Sequence, residues 1–237
     1  MKILTIVPAY NEAANIEQVV RDLRKYCPET DILVVNDCST DQTQEILEQN
    51  GIPYLNLPVN LGIGGGVQNG YQYAQEHEYD VAIQFDGDGQ HEAQYMHTLI
   101  AAIEDGTADF VIGSRFLGNE GFQSSPMRRL GIRFLSRLIR MLCGIQIHDV
   151  TSGMRAVNRK MMAWFARDYA QDYPEPEAIL SAGLLGARIK EVPVQMRERV
   201  SGRSSINAIR AVYYMIKVTL ALVLVAWTTP KNRKETI

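Results

Sequence analysis

The sequence predicts an α/β fold in which a mostly parallel central sheet is flanked by helices. Short apolar runs such as "KILTIV" and "VAIQF" alternate with segments whose apolar residues recur at helical spacing. This alternation is typical of parallel sheets that helices cover on both faces. The length of 237 residues is sufficient for one such domain with a sizeable core.

The predicted elements follow one another without a linker, an internal repeat or a low-complexity segment. Ser39 and Gln42 have the spacing of a capping box, which predicts a helix start after the second strand. The runs that predict strands are "KILTIV", "DILVVND", "IPYLNL", "VAIQF", "ADFVIGS" and "IKEVPVQM". The other predicted helices are "EAANIEQVVRDLRKYC", the segment after glycines 62, 64, 65 and 66, "PMRRLGIRFLSRLIRMLCG" and the apolar C-terminal stretch.

Composition excludes several classes of protein. The formal net charge is −3, which argues against a general nucleic-acid-binding protein. Cys27, Cys38 and Cys143 are scattered without a CxxC pair, so neither a structural zinc site nor a disulfide framework is expected. The N-terminal "MKILTIVPAYNE" reaches a proline and an acid too early for a signal peptide, and it predicts a first strand instead.

The C-terminal region has the character of a membrane-associated helix. Residues Val218 to Trp227 carry no charge, and the basic "KNRK" follows. A spanning helix needs ~20 apolar residues, so an interfacial or partner-bound helix is expected. We therefore divide the chain into an α/β domain, 1–205, and a membrane-associated helix with a basic tail, 206–237. A second amphipathic helix carries an arginine stripe: Arg129, Arg133, Arg137 and Arg140.

Two carboxylates, Asp86 and Asp88, stand where the apolar run "VAIQF" ends. Acids at i and i+2 after a strand can reach one hard cation if a turn redirects them, and Gln90 offers a further oxygen. The alternative is a glycine-rich turn with two solvated acids. Other polar groups also follow predicted strands and meet at the same edge of the sheet, where such folds bind ligands: Asn11, Glu12, Asp37, Ser114 and Arg115.

The glycine-rich "LGIGGGVQNG" leaves two interpretations open. It lacks the G-x-G-x-x-G spacing of a dinucleotide site and the Lys-Ser/Thr ending of a P-loop. It is therefore either a turn that begins a helix, or a place where the backbone, at Gly64, approaches a nucleotide sugar closely.

Seven ordered motifs resemble the family 2 glycosyltransferases, in the branch of dolichyl-phosphate mannose synthases and bacterial polyprenyl-phosphate sugar transferases. They extend roughly from residue 3 to residue 206: "VPAYNEAANI", "VVNDCSTDQT", "NLGIGGGVQNG", "FDGDGQH", "VIGSRF", "DVTSGMRAV" and "ERVSGRSSI". The resemblance implies a GT-A fold, a nucleotide-sugar donor, and Mg²⁺ or Mn²⁺ as the cofactor.

The resemblance also implies roles for individual residues. Glu177 is a secondary candidate as a positioning group or base beside the catalytic candidates Asp88 and Arg115. The nucleotide pocket would be lined by Pro8, Tyr10, Asn11, Glu12 and Asp37, with Gly64 and Asp86. The metal would be held by Asp86, Asp88 and Gln90. The acceptor phosphate would be held by Arg115, Arg129, Arg199 and Arg203.

The expected reaction is inverting, metal-dependent transfer of a sugar to a polyprenyl phosphate at the cytoplasmic face of the membrane. Ser205 stands where many relatives have lysine, and "YPEPEAIL" departs from the mannose synthases. These departures favour UDP-glucose or UDP-N-acetylglucosamine as the donor, with GDP-mannose as the alternative. The expected partners are the membrane surface and a small membrane protein that binds the C-terminal helix.

Three other functions share some of these features. The "DGDGQ" loop resembles the nucleophile loop of a phosphotransferase with an aspartyl nucleophile, although Gln90 replaces the expected Thr or Val. A glycosyltransferase that acts on a polysaccharide or protein hydroxyl shares the donor motifs but requires a carboxylate base. A non-catalytic nucleotide-sugar-binding subunit shares every binding motif, and turnover alone separates it from an enzyme.

Overall fold

The computed structural model describes residues 1–118, 125–197 and 208–229. These residues form the predicted α/β architecture, with one seven-stranded sheet between two groups of helices. The strands are β1 (Ile3–Ala9), β2 (Asp31–Asn36), β3 (Tyr54–Asn56), β4 (Val81–Gln84), β5 (Phe110–Ser114), β6 (Arg155–Asn158) and β7 (Ile189–Pro193). The α-helices are α1 (Ile16–Tyr26), α2 (Thr43–Gln49), α3 (Gly62–Glu76), α4 (Met96–Glu104), α5 (Pro126–Cys143), α6 (Arg159–Arg167), α7 (Pro174–Leu184) and α8 (Ala208–Thr228).

The strand order is β3-β2-β1-β4-β6-β5-β7, and β6 is the strand that breaks the parallel pattern. It runs antiparallel to both β4 and β5, so Arg155 lies opposite Gln84 on one side and Ile112 on the other. The sequence did not predict this strand, because it is four residues long and begins with a charge. Its reversed direction brings the residues before it, including Gly153, to the carboxyl edge of β4.

The core lies in two layers, one on each face of the sheet. All seven residues of β1 are buried, with Leu4 and Ile6 in one layer and Ile3 and Val7 in the other. Burial on both faces explains why this strand reads as a continuous apolar run. Helices α3, α5, α6, α7 and α8 cover the first layer, and α1, α2 and α4 cover the second.

Local sequence sets the ends of α5. Ser125 caps its N-terminus by accepting a hydrogen bond from the Arg128 N–H, and Pro126 occupies the first turn. Gly144 ends the helix in the left-handed region at φ 79°. The capping box predicted for α2 is wrong: Gln42 makes no side-chain cap, and the Ser39 hydroxyl accepts a hydrogen bond from the Asn11 N–H instead.

Helix α8 packs on the rest of the fold through Val218 and Leu222, which are buried in the first core layer beside α7 and α5. Within 1–118, 125–197 and 208–229, the helices are too short or too polar to cross a membrane. The predicted boundary between 205 and 206 lies outside the described residues, so the division into two parts stays a prediction.

Candidate active site

A cleft of ≈ 520 Å³ opens at the carboxyl ends of β1, β2 and β4. Parallel strands end at this edge, which gathers the residues that follow them in the chain. The start of α7 supplies a further wall through Glu175. The lining is Pro8, Ala9, Tyr10, Glu12, Asp37, Asn60, Gly62, Ile63, Gly66, Asp86, Gly87, Asp88 and Glu175.

Asp86 is held through both of its carboxylate oxygens. Its Oδ2 lies 3.1 Å from Nε2 of the buried His91, and its Oδ1 accepts a 3.3 Å hydrogen bond from the Gln84 amide. Burial opposes ionisation of Asp86, but the His91 hydrogen bond and the nearby charges of His91 and Arg155 outweigh it and hold the pKa of Asp86 below its usual value. A Cβ at Gly153 would lie 2.0 Å from Oδ2, so only glycine leaves room for this carboxylate.

Asp88 follows in a tight turn. Its Oδ1 accepts a 3.1 Å hydrogen bond from the Gln90 N–H, and Gly89 between them has φ +74°. The Gln90 side-chain amide donates to the Arg197 carbonyl at 3.4 Å, and Gln90 is not part of the cleft lining. The structure thus places two of the three predicted metal ligands in the cleft and the third beside the segment that contains Arg197.

The loops after β1 and β2 hold each other in place. Asn11 has φ 57°, and its side-chain oxygen accepts a 2.8 Å hydrogen bond from the Thr40 N–H. The buried Asp37 accepts a 2.7 Å hydrogen bond from the Leu61 N–H, which fixes the start of α3. Glu12 and Asp37 line the cleft, whereas Asn11 is not among the lining residues and connects the two loops.

The predicted glycine Gly64 serves packing. A Cβ there would lie 2.0 Å from the Ala170 carbonyl oxygen, and its own N–H donates to Gln171 at 3.2 Å. Its neighbours Gly62, Ile63 and Gly66 line the cleft, while Gly64 does not. The glycine stretch therefore begins a helix and also lets that helix approach the loop before α7.

Glu175 is the functional candidate that sequence reasoning missed. It shares the cleft with Asp86 and Asp88, and burial raises its pKa against the opposing charge of Arg155. Glu177, the predicted candidate, lies two residues on in a separate hollow beside Asp172 and Lys217. Both acids stand in the first turn of α7, and the sequence offered no means of telling which one faces the cleft.

A buried cation underlies this acidic site. Arg155 is fully buried on β6, and its guanidinium donates to the carbonyls of Ser152 at 2.6 Å and Glu175 at 2.9 Å. Its charge acts on both Asp86 and Glu175. Arg155 belongs to the "DVTSGMRAV" motif, but no role was predicted for it because the strand that carries it was not predicted.

The two described arginines of the predicted acceptor-phosphate set lie in different environments. Arg115 is buried, and its guanidinium donates to both carboxylate oxygens of Asp149 at 2.6 Å and to the Thr151 hydroxyl at 2.8 Å. It does not line the cleft. Arg129 lies on α5 against the Phe116 ring, at the rim of a second cavity. Arg199 and Arg203 lie outside the described residues.

The donor set of the cleft fits a divalent cation that is shared with a substrate. Asp86 and Asp88 offer hard oxygen ligands, and Mg²⁺ is usually bound by one or two carboxylates together with substrate phosphates. In the described part of the chain, three metal-ligating side chains converge within 4.8 Å at Cys27, Glu29 and His97 rather than in the cleft. A site in which substrate phosphates supply the remaining ligands needs only one or two protein carboxylates, and the cleft provides two.

Comparison with known proteins agrees with this geometry. The family model "Glycosyl transferase family 2" matches residues 5–164. The undecaprenyl-phosphate mannosyltransferase of Micrococcus luteus is 31% identical over 87% of this chain and 88% of its own length. The polyprenol monophosphomannose synthase of Mycolicibacterium smegmatis is 28% identical over 91% of this chain and 84% of its own length.

A solved structure shows the same fold at lower identity. The glucosyl-3-phosphoglycerate synthase of Mycobacterium tuberculosis, in complex with Mn²⁺, UDP-glucose and phosphoglyceric acid, superposes with a TM-score of 0.75. The two share 19% identity, and the match covers 97% of this chain and 80% of the other. With the family match, this confirms the predicted GT-A fold and the predicted enzyme class: the chain belongs to glycosyl transferase family 2.

Proposed function

We propose that this glycosyltransferase transfers a sugar from a nucleotide sugar to a polyprenyl phosphate, with inversion, at the cytoplasmic face of the membrane. The proposed donor is UDP-glucose or UDP-N-acetylglucosamine, with GDP-mannose as the alternative. The observation that carries the donor half is the charge of the cleft. Among its described lining residues there is no lysine or arginine, and five are acids: Glu12, Asp37, Asp86, Asp88 and Glu175.

An anionic diphosphate enters such a cleft only together with a cation, because like charges at close range repel strongly in a partly desolvated site. Asp86 and Asp88 would hold this cation, Mg²⁺ or Mn²⁺. When bound, it acts as a Lewis acid that stabilises the charge on the departing diphosphate. The His91 hydrogen bond favours the ionised form of Asp86, and Gly153 leaves room for its carboxylate.

The other cleft residues would receive the rest of the donor. Pro8, Tyr10 and Asp37 form the wall beneath the ends of β1 and β2, where the nucleoside would lie. Glu175 shares the cleft with Asp86 and Asp88, where its carboxyl group would hydrogen-bond with hydroxyls of the transferred sugar. Glu177 faces another hollow, so the geometry supports Glu175 rather than Glu177 as the acid near the sugar.

A phosphate acceptor would need no base to activate it. A phosphate monoester has a second pKa of about 6, so its oxygen is already a nucleophile near neutral pH. Direct attack on the anomeric carbon inverts its configuration. Of the two described arginines that were predicted to hold the acceptor phosphate, Arg115 is paired with Asp149, and Arg129 lines the second cavity rather than the cleft.

The curated relatives support a lipid acceptor. The names of both relatives state a polyprenyl carrier, and each likeness covers more than four fifths of both chains. The similarity therefore extends past the nucleotide half of the fold and into the half that includes α5 and α7.

The test is a transfer assay with the full chain, undecaprenyl phosphate in detergent, and each of the three donors in turn. We expect a lipid-linked sugar by mass spectrometry and one equivalent of nucleoside diphosphate, with both products lost in EDTA. Asp80→Asn at the opposite edge of the sheet is the matched control and should behave as the wild type. Transfer to a hydroxyl acceptor but not to the lipid phosphate would contradict the proposal, and so would donor binding without turnover.

A further inference from the structure

A second cavity of ≈ 350 Å³ lies on α5, away from the acidic cleft, and we call it the arginine groove. Arg129, Arg133, Arg137 and Arg140 form one wall, and His148 belongs to the other. Its described lining contains no acid. Arg133, Arg137 and Arg140 are exposed, and within the described residues they form no ion pair. Four clustered cations with no acid among the described lining residues favour the binding of an anion.

The helix that carries these arginines has three distinct faces. At about 100° per residue, the arginines occupy one sector, and the buried Ile132, Leu135 and Ile139 occupy another. The third sector, next to the arginines, exposes large apolar side chains that are 48% to 76% accessible. We call this sector the apolar strip: Met127, Leu130, Phe134 and Met141.

Helix α8 extends the apolar strip. A shallow hollow between the two helices is lined by Phe134 of α5 and by Met215, Ile216, Thr219 and Leu220 of α8. Further along α8, apolar side chains recur at helical spacing and stay exposed, with Trp227 reaching 85%. Exposed apolar surface on this scale marks an interaction site. The exposed members on α8 are Tyr213, Ile216, Leu220, Val223, Leu224 and Trp227.

We infer that α5 and α8 form a membrane-docking surface on which the arginine groove binds the headgroup phosphates of anionic phospholipids while the apolar strip enters the acyl region. Charge complementarity decides the occupant. Arginine binds phosphate oxygens through paired hydrogen bonds and keeps its charge. A helix with an apolar face bordered by basic residues is typical of binding in the plane of a membrane interface. A second copy of the chain would bury the apolar strip but would offer the arginines no phosphate.

This inference concerns the anionic phospholipids of the membrane rather than the lipid acceptor. It rests on the proposed function only in that the docked surface would face that acceptor. It depends on Arg133, Arg137 and Arg140, which have no part in the proposed transfer. The donor cleft lies elsewhere, at the carboxyl edge of β1, β2 and β4. Docking can therefore be measured without sugar transfer.

The experiment is flotation of the full chain with vesicles of phosphatidylcholine alone or of phosphatidylcholine and phosphatidylglycerol in equal amounts. The test variant is Arg133→Gln/Arg137→Gln/Arg140→Gln. The matched control is Arg21→Gln/Arg24→Gln/Lys25→Gln on α1, which removes the same charge from the opposite face of the sheet. One basic residue near an anionic surface contributes about 1 kcal/mol, so the test variant should bind mixed vesicles about 100-fold more weakly. The control should bind as the wild type does.

Leu130→Gln, at an exposed position of the apolar strip, should weaken binding to both kinds of vesicle by the same factor. Two results would overturn the inference: wild-type affinity of the groove variant for mixed vesicles, or an equal loss in the α1 control. A stable dimer in sedimentation that does not bind vesicles would also overturn the inference, because the surface would then belong to a second copy of the chain. In detergent, unchanged transfer by the groove variant separates a docking defect from a failure of the proposed reaction.

Discussion

The acids at the amino edge of the sheet and the acids of the cleft have different hydrogen-bond partners. At the amino edge, Asp80 accepts hydrogen bonds from the Lys2 N–H and the Arg159 guanidinium, at 2.9 and 2.8 Å. Asp109 is likewise held by the Arg188 guanidinium. At the carboxyl edge, Asp86 is held by His91 and Gln84, and no lysine or arginine is among the described residues that line the cleft.

We interpret this difference as a separation between acids that stabilise the fold and acids that are available to a ligand. The Arg188 hydrogen bond lowers the pKa of Asp109 to about 2, which is the signature of a structural ion pair. The cleft acids gather around an open volume that a cation and a diphosphate can share. The contrast predicts that mutations of the acids that line the cleft change activity, whereas mutations of an acid or arginine in an ion pair change stability.

The largest expected effect is that of Asp88→Asn on transfer. Losing one carboxylate ligand of the cation removes several kcal/mol of transition-state stabilisation, so the rate should fall by about 1000-fold or more. The thermal midpoint should stay near that of the wild type, because Asp88 is partly exposed in a loop. A transfer assay and a melting curve on the same preparation check both statements. Substantial activity in Asp88→Asn would remove this carboxylate from the reaction.

Arg115→Ala comes next, and we expect a loss of stability. The substitution leaves the Asp149 carboxylate, which is fully buried, without its bidentate partner. Breaking a buried pair from one side costs about 3–5 kcal/mol. Chemical denaturation measures this loss, and Arg115→Ala/Asp149→Ala should recover part of it. If Arg115→Ala unfolds like the wild type yet fails in transfer, the predicted contact with the acceptor phosphate is supported instead.

Gly153→Ala should have an intermediate effect on activity. The new Cβ would lie 2.0 Å from Asp86 Oδ2 and would displace the carboxylate from His91. Misplacement of a catalytic group by about 1 Å can reduce a rate by about 100-fold. Gly118→Ala is the matched control, since its Cβ would meet nothing within 4 Å. Wild-type kinetics in Gly153→Ala would mean that the position of Asp86 is not critical.

The smallest expected effect is that of Arg188→Gln at the amino edge. The arginine side of the pair with Asp109 is exposed to solvent, so its loss should lower the free energy of unfolding only slightly at pH 7. Because the folded-state pKa of Asp109 is depressed to about 2, this stability is present above about pH 4 and disappears as the pH falls toward 2. Denaturation at pH 7 and near pH 2 should show that the free energies of unfolding of the variant and the wild type converge in acid. Transfer at pH 7 should be unchanged.

How far the sequence predicts this molecule depends on whether an interaction is local. The Asp86–Asp88 pair was predictable, because a buried strand followed by acids and glycines is a local pattern. The partner of Arg115 was not, since Asp149 lies 34 residues away in the chain and only the fold brings them together. That Glu175 rather than Glu177 lines the cleft was not predictable for a related reason: the direction in which α7 leaves its first turn is set by tertiary packing.

The central claim is that the cleft binds the donor diphosphate only together with a divalent cation held by its carboxylates. The most direct test is calorimetric titration of UDP and of GDP into the full chain, once with Mn²⁺ and once with EDTA. We expect one of the two nucleotides to bind with Mn²⁺, and its affinity to fall by about 100-fold or more in EDTA. Equal affinity with and without the cation would contradict the claim, because the diphosphate would then be held by the chain alone.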